Sequence, residues 1–96
     1  MPKAIYNGVV LAESKTTQVV EGNHYFPPET VNTEHFTESS THTTCPWKGL
    51  ASYYNLSING EEIKDAAWYY PDTKGAAKQF EGYVAFYRNK GVTIEV

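Results

Sequence analysis

The pair Asn-Gly occurs twice in this chain, at Asn7-Gly8 and Asn59-Gly60. Both central residues of a type I′ turn need positive φ, which Asn and Gly tolerate best, so each pair predicts a two-residue hairpin. The flanking segments agree. "KAIY" and "VVLAES" surround the first pair, and "ASYYNLSI" precedes the second. Within residues 52–58, Tyr54, Leu56 and Ile58 share one face while Tyr53, Asn55 and Ser57 share the other, as in a strand buried on one side. In "GYVAFYR", Val84 and Phe86 alternate with Tyr83, Ala85 and Tyr87, which suits a strand covered on both faces. "NKG", Asn89 to Gly91, reads as a three-residue hairpin loop between "YVAFYR" and "VTIEV". Strands are expected at 3–6, 9–13, 18–21, 50–58, 66–70, 83–88 and 92–95. Pro71 stops the fifth of them, because it cannot donate to a ladder.

Two short helices complete the reading. Asp72 is placed to cap "TKGAAKQF", with Ala76, Ala77 and Phe80 on one stripe and Gly82 past the end. "ETVNTEHF", after Pro27-Pro28, predicts one or two helical turns. The segment Thr37 to Thr44 is polar, shows no period and reads as an exposed loop. A chain of 96 residues is expected to form a single domain, 1–96. Short strands with hairpin punctuation must pack sheet on sheet or close up. The expected fold is mainly β: two antiparallel sheets or an open barrel, with one or two short helices.

Charge and cysteine content narrow the function classes. The net charge is −3 and no basic run occurs, which argues against a nucleic-acid partner. One cysteine cannot form an intrachain disulfide. "MPKAIYNGVV" lacks the apolar core of a secretion signal, and no apolar run approaches the ~20 residues of a membrane helix. A soluble cytoplasmic protein with no membrane partner, monomer or homodimer, is expected. Aromatic residues make up 15% of the chain, eight of them tyrosines, so the aromatics either build a tyrosine-rich β core or line a pocket.

Four blocks, "VVEGNHYFPPETV", "THTTCPWKGLASYY", "DAAWYYPDTK" and "GYVAFY", together resemble the family called domain of unknown function 427, also filed as a nucleotidyltransferase-like domain. They come in the family's order and span nearly the whole chain. The resemblance implies a compact mainly-β fold related to the β-tent group, in a family widespread in bacteria and present in fungi. It implies no established reaction. Tyr87 stands where a tryptophan is common, and Thr73 where a proline is common. Many β-tent relatives bind zinc through paired Cys-x-x-Cys knuckles, which a single cysteine cannot supply.

The candidate chemistry gathers in the same blocks. Cys45 is either a buried packing residue or a thiol activated by His42 or Lys48. Three residues apart in a strand, His42 and Cys45 would face opposite sides. His24, His35, His42 and Cys45, with Glu21 or Asp65, match no standard metal-ligand spacing, so neither metal nor cofactor is expected. Asp65 precedes an apolar run, where burial would raise a carboxyl pKa, and is the candidate acid or base. Trp47, Lys48, Asp65 and Trp68 are expected to line one cleft, with His24 and Tyr25 at its edge and Asp65 paired to Lys48. The leading expectation is an unidentified small ligand, anionic or ring-containing, in an aromatic-lined cleft. The alternatives are an enzyme using Cys45, His42 or Asp65, and a homo-oligomeric interaction module.

Overall fold

The computed structural model describes residues 1–96. Nine strands run in chain order: β1 (Lys3–Tyr6), β2 (Val9–Glu13), β3 (Gln18–Val20), β4 (Asn23–Tyr25), β5 (Phe36–Cys45), β6 (Gly49–Ile58), β7 (Glu61–Tyr69), β8 (Val84–Phe86) and β9 (Thr93–Glu95). They form three antiparallel sheets, in the orders β2-β1-β9, β3-β4 and β5-β6-β7-β8. A bridge between Phe26 and Val84 ties the small hairpin to the end of the four-stranded sheet. The fold is mainly β, as the alternation and turn residues predict, and it is no closed barrel. No helix is long and apolar enough to cross a membrane.

Both Asn-Gly pairs turn with the expected positive φ, 47° and 81° at Asn7-Gly8, 51° and 81° at Asn59-Gly60. A third such turn lies at Glu21-Gly22, with φ of 55° and 81°. It joins β3 to β4, and its first residue is an unfavourable type for the left-handed region.

Four expectations are corrected. Residues 37–44 are not a loop but most of β5, a ten-residue strand. Its threonines are β-branched strand formers, and as an edge strand with polar faces it needs no apolar period. "NKG" closes no hairpin, because β8 pairs with β7 while β9 pairs with β1, so residues 89–91 connect two sheets. The helices are short 3-10 segments, Pro28–Thr30, Thr33–His35, Gly75–Phe80 and Arg88–Lys90. Asp72 caps none of them: Gly75–Phe80 starts after Lys74 with no side-chain cap, and its first residue has φ 46°.

The four-stranded sheet is buried on both faces over part of its area. One face, with Leu56, Ile58, Ala67 and Phe86, meets the β2-β1-β9 sheet through Ala4, Leu11 and Val92. The other, with Ala51, Tyr53, Trp68 and Ala85, is covered by Tyr25, Tyr70, Ala77 and Phe80.

The sheet is distorted on both sides of β6, at adjacent positions that flank Tyr54. Between the pairs Glu38↔Tyr54 and His42↔Ser52, β5 advances four residues while β6 advances two. Between Tyr54↔Ala67 and Leu56↔Ile63, β7 likewise advances four while β6 advances two. Asp65 sits in the second bulge with φ 52°. Strict alternation from Ile63 and Ala67 would aim it into the first core. Its left-handed backbone turns it to the opposite face, where its carboxylate accepts hydrogen bonds from Ser39 (2.5 Å) and Thr41 (2.8 Å) of the first bulge. Its amide donates to the Asn55 side chain at 3.0 Å.

These bonds predict a stability effect. Asp65→Ala should cost about 1–3 kcal/mol in urea unfolding, because it removes two charge-assisted acceptors and puts alanine in a left-handed site. Asp65→Asn should cost less. The Asp65 carboxyl pKa is depressed, chiefly by the Ser39 hydrogen bond. Glu81 is held at about 2 by the Thr73 amide, Lys78 and the Thr73 hydroxyl. A depressed folded pKa gives stability that is complete above the unfolded value and is lost as pH falls through the folded one. Asp65→Asn should therefore flatten the acid limb of the melting-temperature profile below about pH 4. An unchanged acid limb would contradict this assignment.

Candidate functional site

Lys48 closes the turn between β5 and β6. Pro46 restrains Cys45, and Gly49 takes φ 114°, where an added Cβ would lie 2.7 Å from the Asp72 carbonyl oxygen. Only glycine fits, and the contact pins the turn against Thr73, its bridge partner. Lys48 is thereby directed inward and is 6% exposed. Its ammonium pairs with Glu21, whose left-handed turn position carries the carboxylate over it. The ammonium also lies 5.2 Å from the Trp47 ring centroid and 5.3 Å from that of Tyr70, within cation–π range. Burial works against its charge, but Glu21 and the phenol oxygens of Tyr25 and Tyr70 outweigh burial and raise its pKa.

The aromatic residues around Lys48 interlock. Trp68 Nε1 donates to the Tyr25 hydroxyl at 3.1 Å, Tyr25 packs on Phe80 at 4.9 Å, and Tyr87 lies on Trp68 at 4.4 Å. Every buried side-chain nitrogen and oxygen in the molecule has a hydrogen-bond partner. Trp47, Lys48, Tyr25 and Trp68 thus come together, but no cavity opens among them. Tyr25 is not at an edge; it is 1% exposed. His24 stands apart, bonded to Thr17 at 3.0 Å, and borders a void of about 10 Å³ with room for one water at most.

Asp65 belongs to the bulge clamp, and the expected Asp65–Lys48 pair is not formed. Its carboxyl pKa is also lowered, not raised, because hydroxyl donors outweigh burial. Cys45 is half-buried beside the Lys48 cluster. His42 projects from the other face of β5, where its Nδ1 lies 3.2 Å from the Ser52 hydroxyl. The three catalytic candidates therefore occupy three different settings. No three His, Cys, Asp or Glu side chains cluster closely enough to hold a metal ion.

The larger cavity, about 220 Å³, lies elsewhere. It is a partly open cleft between residues 28–35 and the face of the four-stranded sheet that carries Tyr54. Val31, Phe36, Tyr54 and Val84 give it apolar walls, Pro28, Thr33 and Gly82 add to the rim, and Glu38 supplies the one charged group. Phe36 and Tyr54 meet at 81° with centroids 5.4 Å apart, forming a corner, and Tyr69 stacks behind Tyr54 at 4.5 Å. Burial, with the neighbouring Tyr69 and Glu38, pushes the Tyr54 phenol up to about 12, so it is a neutral hydroxyl at physiological pH. The His42–Ser52 pair is the next rung of the same face.

Sequence reasoning missed Phe36 and Glu38 because it put Phe36 at the end of a helical turn and Glu38 in a loop, whereas both belong to β5. Read as a strand, "FTESSTHTTC" puts Phe36, Glu38 and His42 on one side and Thr37, Ser39, Thr41 and Thr43 on the other. The β-branched threonines were the signal. The 28–35 strap is held by the Ala12↔Val31 bridge and by Asn32, whose side chain and backbone amide donate to Val10 and Leu11 at 2.8 Å each. Nothing local to the strap's sequence specifies those partners.

Residues 3–96 match the model of the family described as Domain of unknown function (DUF427). The nucleotidyltransferase wording attached to that family is a label and identifies no reaction. No curated protein matches the chain.

The Lys48–Glu21 pair yields an asymmetric prediction. Glu21→Ala strands a buried ammonium and should destabilise by about 1–3 kcal/mol. Lys48→Met removes the charge and keeps the contacts to Trp47 and Tyr70, leaving an exposed carboxylate that water can solvate. It should cost less than Glu21→Ala in the same urea experiment. The reverse order would show that the ammonium is not desolvated.

Proposed function

As the chain belongs to the family described as Domain of unknown function (DUF427), we propose that it binds a small molecule in the cavity between residues 28–35 and the four-stranded sheet. The observation that carries this reading is the cavity itself: about 220 Å³, with apolar walls from Val31, Phe36, Tyr54 and Val84 and a few polar groups at Thr33, Glu38 and Tyr54. Concave apolar sites with a few placed polar groups are the usual form of small-ligand pockets. The volume is below the ~300–1,000 Å³ of sites for drug-sized ligands, so the ligand is compact, on the scale of a single ring system. The Lys48 cluster then serves as the packed foundation of the opposite face. Its ammonium already has a carboxylate partner and aromatic contacts, so an anionic ligand there would have to displace Glu21. A cytoplasmic setting suits a chain whose single thiol, at Cys45, is unpaired.

One- and two-ring neutral fragments should shift amide and methyl signals of Val31, Phe36, Tyr54 and Val84 in NMR titrations. Val31→Trp, which fills the cavity from the strap side, should weaken such binding at least tenfold while the chain stays folded. Fragments that perturb only the Trp47–Lys48 region, or none that bind at all, would refute the assignment.

A further inference from the structure

We infer that the ligand of this cavity carries a methylated or alkylated ammonium group; this deepens the reading just given and rests on it. Among the cavity's lining residues Glu38 alone is charged at neutral pH, and no lysine or arginine lines the cavity to balance it. Glu38 takes part in none of the ion pairs of the molecule, which join Lys3 to Glu13, Lys48 to Glu21 and Lys78 to Glu81. Beside it, Phe36 and Tyr54 meet nearly at right angles, 81° with centroids 5.4 Å apart. The two rings pack edge to face, with Tyr69 covering one face of Tyr54, and they border the carboxylate, so the cavity joins aromatic surface to one negative charge. Ring faces attract a cation through their quadrupole, and quaternary or methylated ammonium groups gain most because their surface is also apolar. A bare inorganic cation would lose its hydration shell against Val31 and Val84 with no return. An anion would meet Glu38 and no donor cation. The backing of Tyr54 by Tyr69, at 4.5 Å and 18°, fixes the wall in place before a ligand arrives. The site thus selects a compact organic cation.

The test is an NMR titration of the full chain with choline and tetramethylammonium, against 3,3-dimethyl-1-butanol as the neutral isostere and potassium as the bare cation. The two ammonium ions should shift Phe36, Tyr54 and Glu38 and bind at least fivefold more tightly than the isostere, with no effect from potassium. Glu38→Gln should weaken choline about two- to fivefold and leave the isostere unchanged, as expected for an exposed charge contact. Phe36→Leu, which keeps apolar bulk and removes the ring, should weaken choline by a similar factor. Equal binding of choline and isostere would overturn the ammonium inference and leave the cavity reading standing. Failure of both ammonium ions to shift these residues would also overturn it, and the neutral-fragment titration then decides the cavity reading separately. If potassium shifts them as strongly as choline does, Glu38 acts alone and the aromatic contribution is refuted.

Discussion

One carboxylate ties together the two bulges of the four-stranded sheet. Asp65, in the bulge of β7, is bonded to Ser39 and Thr41 in the bulge of β5, and the two bulges lie on either side of β6. Bulges increase local twist and bend the strand that carries them. The two lie to either side of Tyr54 along β6, and the Asp65 clamp joins them across that strand. The face that carries Leu56 and Ile58 packs on β2-β1-β9, and the strap 28–35 lies over Tyr54 and Phe36 on that same face. Each bulge adds two residues, an even number, so the inward and outward assignment of β5 is preserved across it. Glu38 and His42 therefore face the cavity side while Ser39, Thr41 and Thr43 face the other. A one-residue bulge would have sent one of these sets to the wrong face.

Lys48 and Glu38 show two ways of placing a charge at a protein surface. Lys48 is desolvated but compensated, by Glu21 and by two ring faces. Removing one member of such an arrangement costs more than the arrangement contributes. Its reach across the turn joins the β3–β4 hairpin to the β5–β6 turn, which share no ladder, so its role is to fix the position of one against the other. Glu38 is solvated and uncompensated, so its charge remains available to a ligand. Solvent weakens each such contact, and selectivity comes from combining it with the adjacent rings.

Much of the fold was legible because its signals are local. Asn7-Gly8 and Asn59-Gly60 specify their turns through φ alone, and Tyr54, Leu56 and Ile58 announce a buried face by alternation. The errors fall where the deciding partner is distant in sequence. "FTESSTHTTC" has no apolar period because it is an edge strand, and its stabilising partners are Asp65 and Tyr53. "NKG" resembles a hairpin loop, but β9 is claimed by β1 at the other end of the chain. The aromatic and polar mixture at Trp47, Lys48 and Trp68 did locate a real cluster. What composition could not show is that Tyr25, Tyr70 and Phe80 fill the space between them.

The same distinction explains why the cavity is found on the less conspicuous face. A mixture of tryptophan, lysine and tyrosine in adjacent blocks is what a closed polar-aromatic core also requires, since each Nε1–H, hydroxyl and ammonium must find a partner inside. Here they all do. Van der Waals filling and satisfied hydrogen bonds leave no vacancy for a ligand. On the opposite face the strap is anchored to β2 by backbone and Asn32 bonds, and Val31 is the side chain it packs against the core. A cover whose own hydrogen bonds go to β2, and not to the strands beneath it, leaves space there without losing them. The cavity thus follows from where the strap is attached, and its charge follows from Glu38 lying on the cavity-facing side of β5.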